Sequence, residues 1–350
     1  MASPAPIQHV VIIVKENHTF DNYFGTFPGA NGVALDHAPD PIAPDPPHDH
    51  AAWLRRASGA VRLQYTQDDI PAYWAYAQQY ALCDHYFTDV ASQSEPNHLM
   101  LIAADSPLID NASAHRTYQP QPPFALPSLP AALTAAGLTW RNYADAHASY
   151  FRDIAGLAGD PANVPAARFD TDAATGALPA VSWLYAPGGL SEHPPFAARG
   201  GPAPGPVVGP GMRWTVARVS AVARGPQWAH TAIFVTWDDW GGWYDHVDPP
   251  QVQAWTGGGP AGYAGSQFRY GSRVPCLAIS PYAKPGVNST FHSHVSLVKF
   301  CLRTFGLPPF SAAPAFAPGD PSADLWDCFD FAAPPRLGVP SPTPRAAGQG

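Results

Sequence analysis

An α/β fold with a mainly parallel central sheet, covered on both faces, is predicted by three features of the 350-residue chain. Short β-branched apolar runs alternate with stretches of helical apolar spacing. The two strongest runs, Val10 to Val14 and Thr231 to Trp237, each end abruptly in polar side chains. Few of the 43 prolines fall inside such runs, and the rest gather between them, where loops must lie.

The first run belongs to Ile7 to Gly25, IQHVVIIVKENHTFDNYFG. Val10 to Val14 is short and β-branched, the pattern of a buried strand. Lys15, Glu16, Asn17 and His18 follow at once. Ligands of open α/β sheets sit just beyond the carboxyl ends of strands. Glu16 and Asn17 therefore form either a metal corner of two oxygen-bearing side chains or a plain polar turn. Asp36 to His50 is a loop ending PPHDH, whose His48, Asp49 and His50 can ligate, protonate or only decorate a surface. Ile70 to Leu82 has proline near its start and helical spacing. Leu99 to Ala104 resumes a helical pattern, which puts Ser94 to Asn97 at a helix start. Unpaired N–H groups there suit a phosphate, and Ser94 is either a cap or a nucleophile.

Leu126 to Gly137 reads as a helix closed by Gly137, and Leu138 to Tyr143 as the strand after it. Ala180 to Tyr185 is a strand opening onto a Pro/Gly loop with Glu192, His193, Pro194 and Pro195. Met212 to Arg224 is helical and feeds the run Thr231 to Trp237, which ends in Asp238 and Asp239. Adjacent carboxylates repel, and burying either one unpaired is costly. A cation between them relieves both problems; a solvated turn is the alternative. Trp237, Trp240 and Trp243 crowd the pair with apolar surface, which favours the cation. The same tryptophans with Tyr244 either cage a choline-like cation or belong to the core. Pro249 to Gly271 is a Gly-rich stretch with four aromatics, a lid over the site or an insert. Val274 to Ser280 is a last strand, and His292, Ser293 and His294 precede a helix from Val295 to Phe305. The expected layout is one domain over 1–332, with long loops near 36–50, 186–211 and 249–272, and a disordered tail over 333–350.

Composition excludes several classes. A formal net charge of −8 with no basic block argues against a nucleic-acid binder. No apolar run approaches the ~20 residues needed to span a bilayer. Met1 to Pro6 is too short for an export signal and lacks the basic start. The protein is expected to be secreted or periplasmic if a signal has been removed, and cytoplasmic if the chain is complete as written. Cys83, Cys276, Cys301 and Cys328 contain no CxxC pair, which excludes a zinc ribbon. A Cys301–Cys328 disulfide stays open.

At this point the residues resemble a known family. ENHTFDNYFG, SEPNH, EHPP, FVTWDDWGGWYDHVDPP, SRVPCLAISPYAKPG and DLWDCFDF are similar, in order, to blocks of the bacterial phosphoesterase family. That family holds the non-haemolytic phospholipases C and the Francisella-type acid phosphatase, within the alkaline phosphatase superfamily. The resemblance runs from Ile7 to about Phe331 and implies a three-layer α/β/α sandwich, alkaline phosphatase-like, carrying a single-metal hydrolase. It implies Glu16, Asn17, Asp238 and Asp239 as metal ligands and Ser94 as nucleophile. It also implies His48, His193, His246 and His294 around the phosphoryl group. On the chemistry of such a site, Asn97 is expected to donate a hydrogen bond to a phosphoryl oxygen, and His294 or His193 to protonate the leaving alcohol. The family usually reads ENRSFD and PNR, whereas this chain has His18 and His98 in place of the arginines. That forfeits a bidentate phosphate donor wherever either arginine met substrate. The family's twin-arginine signal is absent.

The chemistry expected is hydrolysis of a phosphate ester through a phosphoseryl intermediate, with one divalent cation. Oxygen ligands favour Ca²⁺, Mg²⁺ or Mn²⁺, and Zn²⁺ or iron stays open. A phospholipase C acting on phosphodiesters or phospholipid leads. A broad acid phosphatase is the alternative, and a Ca²⁺-stabilised binding protein is the alternative outside the enzymes.

Overall fold

The computed structural model describes residues 5–145, 149–196, 205–311 and 313–344. Its frame is an eight-stranded sheet. In chain order the strands are β1 (His9–Lys15), β2 (Ala81–Cys83), β3 (Trp140–Tyr143), β4 (Asn163–Val164), β5 (Val181–Tyr185), β6 (Thr231–Trp237), β7 (Cys276–Ile279) and β8 (Gly286–Asn288). Across the sheet they run β8-β2-β7-β6-β1-β5-β3-β4. β1 pairs in parallel with β5 and β6, β3 with β5 and β4, and β8 with β2. β7 alone among them is antiparallel, to both β6 and β2. Val10 to Val14 are at most 2% exposed. A parallel strand covered on both faces needs such an unbroken apolar run.

The helices that frame the site are α1 (Phe20–Phe24), α2 (His50–Leu54), α3 (Pro71–Gln79), α4 (Ser94–Ala103), α5 (Leu129–Ala135), α6 (Arg168–Thr175), α7 (Val208–Arg224) and α8 (His294–Thr304). α7 packs on α6 and α3, while α4 packs on α8 and α5. These two layers enclose the sheet in the expected α/β/α sandwich. Boundaries differ from the sequence pattern where the sheet competes for residues. The helix expected to reach Leu82 ends at Gln79, because Ala81–Cys83 pairs with β7 instead. α7 starts at Val208, four residues early, since its Gly209 and Pro210 fall in the first turn, where proline is tolerated.

The structure bears on one expectation, the disordered tail, and on two alternatives left open, the lid and the disulfide. No residue of 249–271 lines the cavity beside Ser94. Within this Gly-rich stretch Trp255 lies against Phe268, and the stretch is tied to the rest of the domain where the Tyr263 hydroxyl donates to Asp110. The tail is tied down over 336–341. The Arg336 guanidinium donates to the carbonyls of Gln79 and Ala283, and the Ser341 amide donates to the Gln79 side chain. Residues 345–350 of that expected tail lie outside the described residues. All four cysteines are free thiols, and Cys328 faces Cys83 at 3.6 Å rather than Cys301.

A buried ionic cluster holds the loops together on another side. Arg273 is 0% exposed; it bonds Asp21 at 3.1 Å and Asp245 at 2.8 Å, and donates to the carbonyls of Asn31 and Asp84. His246 belongs to this cluster, with Nδ1 2.7 Å from Asp21 and Nε2 3.1 Å from Asn31. It does not line the Ser94 cavity, which corrects its expected place at the phosphoryl group. Removing one member strands buried charge. Arg273→Met is therefore expected to destabilise the fold by ~3–5 kcal/mol. Urea unfolding checks this, and an unchanged midpoint would mean the cluster does not hold the loops.

Candidate functional site

β1 lies between β5 and β6, so three strand ends deliver polar segments to one place. These are Glu16 and Asn17 after β1, Asp238 and Asp239 after β6, and Ser191 to His193 in the loop after β5. Asn17 takes a left-handed conformation, φ 66°, which asparagine tolerates better than most residues. Its amide thereby donates to Asp238 Oδ1 at 3.1 Å. The turn after Asp239 sits directly on this corner. A Cβ at Gly241 (φ 57°) would lie 2.3 Å from the Asn17 carbonyl oxygen, so only glycine allows the approach. The Gly241 amide donates to Asp239 Oδ1 at 2.7 Å.

Ser94 is the first residue of α4, and Gln93 holds the cap position without a side-chain cap bond. The Ser94 hydroxyl is thus not spent on capping. It donates to Asp239 Oδ2 at 2.9 Å. The Glu95 amide is satisfied from elsewhere, by Asn111 Oδ1 at 2.7 Å. Ser94 opens into a cavity of about 730 Å³, which Glu16, Asp45, His48, Tyr150 and His193 also line. Pro194, Pro195, Phe196 and Val207 add apolar surface to it. Each of the two histidines has Nδ1 on a backbone carbonyl, His48 on Pro46 at 2.7 Å and His193 on Pro194 at 2.5 Å. A carbonyl only accepts, so Nδ1 carries the proton and Nε2 is the basic nitrogen.

The electrostatics are those of crowded negative charge. Burial, then the charge of Asp238, pushes the Glu16 carboxyl up, and the same two causes push Asp239 well above the usual carboxylate range. Burial acts on Asp238 too, but the His98 imidazole, 3.2 Å away, leads the bonds that hold its carboxyl below the ordinary value. Asn17 Oδ1 is buried without a hydrogen-bond partner. Among the described residues, Glu16, Asp238 and Asp239 do not form a trio with ligand atoms within 4.8 Å of one another; Asp45, His48 and His193 do. In the second such trio, Asp21, Asp245 and His246, both carboxylates are already paired with Arg273.

Two more expected residues have other tasks. Asn97 accepts from the Val90 amide and donates to the carbonyls of Val90, Ser92 and Gln93. With both ends of its amide used and no exposure, it shapes the entry to α4 and has nothing left for a phosphoryl oxygen. His294 is fully buried, with Nε2 2.7 Å from the Asp238 carbonyl and Nδ1 3.1 Å from the Tyr86 hydroxyl. Burial lowers its pKa to about 4. It is a neutral prop under Asp238, not a proton donor to a leaving group. The tryptophans form no choline cage either. Trp237, Trp240 and Trp243 are at most 1% exposed, and Trp240 Nε1 donates to the His48 carbonyl. His98 is turned to Asp238 instead of the cavity. Sequence reasoning passed over Asp45 and Tyr150. The Asp-Pro-Pro-His spacing carried a signal for the first, and nothing local marks the second.

A serine hydroxyl on a carboxylate, at a helix start and beside further strand-end carboxylates, is the kind of centre the resemblance describes. The model of the Phosphoesterase family matches residues 7–45 and 48–308, and the chain belongs to that family. The non-haemolytic phospholipase C of Burkholderia pseudomallei is 27% identical, over 94% of this chain and 59% of its own length. The phospholipase C A of Mycobacterium tuberculosis is 28% identical, over 97% of this chain and 81% of its own length. The chain thus spans about three-fifths of the Burkholderia relative. A solved structure of an alkaline phosphatase superfamily protein from Vibrio parahaemolyticus aligns over 93% of this chain and 72% of that one. Its identity is 12% and its TM-score 0.45.

Glu95, next to Ser94, gives a pH prediction. Burial, only partly offset by the Ala112 amide, raises its carboxyl to about 7 from 4.5. A raised carboxyl favours the protonated native state, so its stabilisation is whole below pH 4.5 and is lost as pH rises through 7. Glu95→Gln should flatten the fall in thermal midpoint between pH 5 and 8. A variant with the wild-type slope would show that Glu95 does not cause it.

Proposed function

We propose that this chain hydrolyses phosphate esters with Ser94 as nucleophile, and that its preferred substrates are phosphodiesters of the phospholipase C type. The observation that carries this is the Ser94 hydroxyl, free of capping duty, held 2.9 Å from Asp239 and open to the cavity. The names of the relatives support the diester over the monoester. So does the apolar side of the cavity, where Phe196 is 76% exposed beside His193 and offers a surface to an acyl or alkyl arm.

The residues fit one divalent cation. Glu16, Asn17, Asp238 and Asp239 would hold it, because three crowded carboxylates and an orphaned Asn17 Oδ1 are all oxygen donors that a hard ion satisfies. When bound, Ca²⁺, Mg²⁺ or Mn²⁺ would supply charge neutralisation for the transferring phosphoryl group. Asp239 orients the Ser94 oxygen for in-line attack. Ser94 Oγ gives its proton to Asp239 as it bonds to phosphorus, the ester P–O bond breaks, and the leaving alcohol takes a proton from His193 or His48 in its imidazolium form. Water then attacks the phosphoserine, the imidazole left neutral accepts its proton, the Oγ–P bond breaks, and Ser94 Oγ recovers its proton from Asp239.

The test pairs p-nitrophenyl phosphorylcholine with p-nitrophenyl phosphate, with and without chelator. The diester is expected to turn over faster, chelation to abolish turnover, and Ser94→Ala to lose ~10⁴-fold or more in kcat. Full activity in Ser94→Ala would end the serine mechanism. Faster turnover of the monoester would make the chain an acid phosphatase.

A further inference from the structure

We infer that Glu192 is a positioning residue whose buried carboxylate locks the three strand-end segments of the site into one arrangement. Its kinetic test rests on the phosphoesterase reading. Glu192 is 0% exposed and sits at φ 77°, in the left-handed region that a residue with a Cβ occupies at a cost. Four donors from four elements converge on its two oxygens. Oε1 accepts from the Tyr73 hydroxyl at 2.6 Å and pairs with Lys15 Nζ at 3.3 Å. Oε2 accepts from the Tyr23 hydroxyl at 2.8 Å and from Trp237 Nε1 at 3.1 Å.

The donors' places in the chain give this hub its meaning. Lys15 immediately precedes Glu16, Trp237 immediately precedes Asp238, and Glu192 itself precedes His193. Each site-bearing segment is therefore gripped one residue before its functional side chain. The backbone adds two ties: the Glu192 carbonyl accepts from His18 Nε2 at 3.1 Å, and the Ser191 carbonyl accepts from the Glu16 amide at 2.9 Å. α7 makes room for the hub, since a Cβ at Gly211 would lie 2.3 Å from Glu192 Cγ. Glu192 does not itself line the cavity, so its influence must pass through His193, Glu16 and Asp238.

The experiment compares the full chain as wild type, Glu192→Gln, and Lys15→Met/Glu192→Gln. The amide keeps the shape but offers one acceptor where the carboxylate offers two. Glu192→Gln should lower kcat ~100-fold, the scale of a small misplacement of reacting groups, with KM within about threefold. The double variant removes the uncompensated buried ammonium and should regain the thermal midpoint while kcat stays low. Recovery of kcat in step with the midpoint, or near-wild-type kcat in Glu192→Gln, overturns the inference. Imidazole ¹⁵N spectra report independently of turnover. The His193 resonances should shift in both variants while those of exposed His37 hold. Unchanged His193 resonances overturn the clamp even if the wild type hydrolyses no phosphate ester, a result that would separately end the hydrolase reading.

Discussion

Three carboxylates crowded at two neighbouring strand ends are the constraint the rest of this structure answers to. Asp238 and Asp239 are fully buried, Glu16 lines the cavity, and the charge of Asp238 bears on both of the others. The protein responds with fixed donors: the amides of Asn17 and Asp239 to Asp238, that of Gly241 to Asp239, the His98 imidazole and the Ser94 hydroxyl. Each comes from a different backbone contrivance, such as a left-handed asparagine, a glycine with no Cβ, or a helix start left uncapped. These donors lower the cost of the cluster without cancelling its charge. The Asn17 oxygen beside it is buried without a hydrogen-bond partner.

That logic explains which parts of the site were legible in the sequence. A central strand must be apolar throughout, so polar residues directly after Val14 and Trp237 stand at strand ends by necessity. Pattern puts Glu16 and Asn17 at one strand end and Asp238 and Asp239 at another; the resemblance joins the four into one site. Pattern could not place the histidines. Spacing gives a histidine an address but not the direction of its ring, and burial decides its task. His294 faces a carbonyl in the interior, His246 joins Arg273, and only His48 and His193 reach the cavity. Asn97 fails for a related reason. A short amide at a helix entry is drawn to the backbone groups within its reach before any ligand arrives. In the fold, the antiparallel β7 and the tethered 336–341 segment depend on partners distant in sequence, which local periodicity does not encode.

The tryptophans show the same division between address and task. They crowd the Asp-Asp turn as the sequence suggests, but their N–H groups point to protein acceptors. Trp237 reaches Glu192 and Trp240 reaches the His48 backbone. They therefore act as stiff walls that fix the positions of reacting groups. The apolar part of the cavity wall lies elsewhere, at Pro194, Pro195, Phe196 and Val207. Two of those prolines and Phe196 follow His193 directly in sequence, so what holds His193 also holds that surface.

Two buried ionic clusters, around Arg273 and around Glu192, sit in one small sandwich. Neither is the most stable way to fill its space, since apolar groups of the same shape commonly do as well or better. Charges survive such sites when direction matters more than stability. An apolar contact tolerates sliding by a fraction of an ångström, whereas a carboxylate with four converging donors does not. The Arg273 cluster joins loops that do not line the Ser94 cavity. The Glu192 cluster lies one residue behind Glu16, His193 and Asp238, where a small slide would move them relative to one another. Directional bonding is therefore concentrated where in-line chemistry at phosphorus would be most sensitive to it.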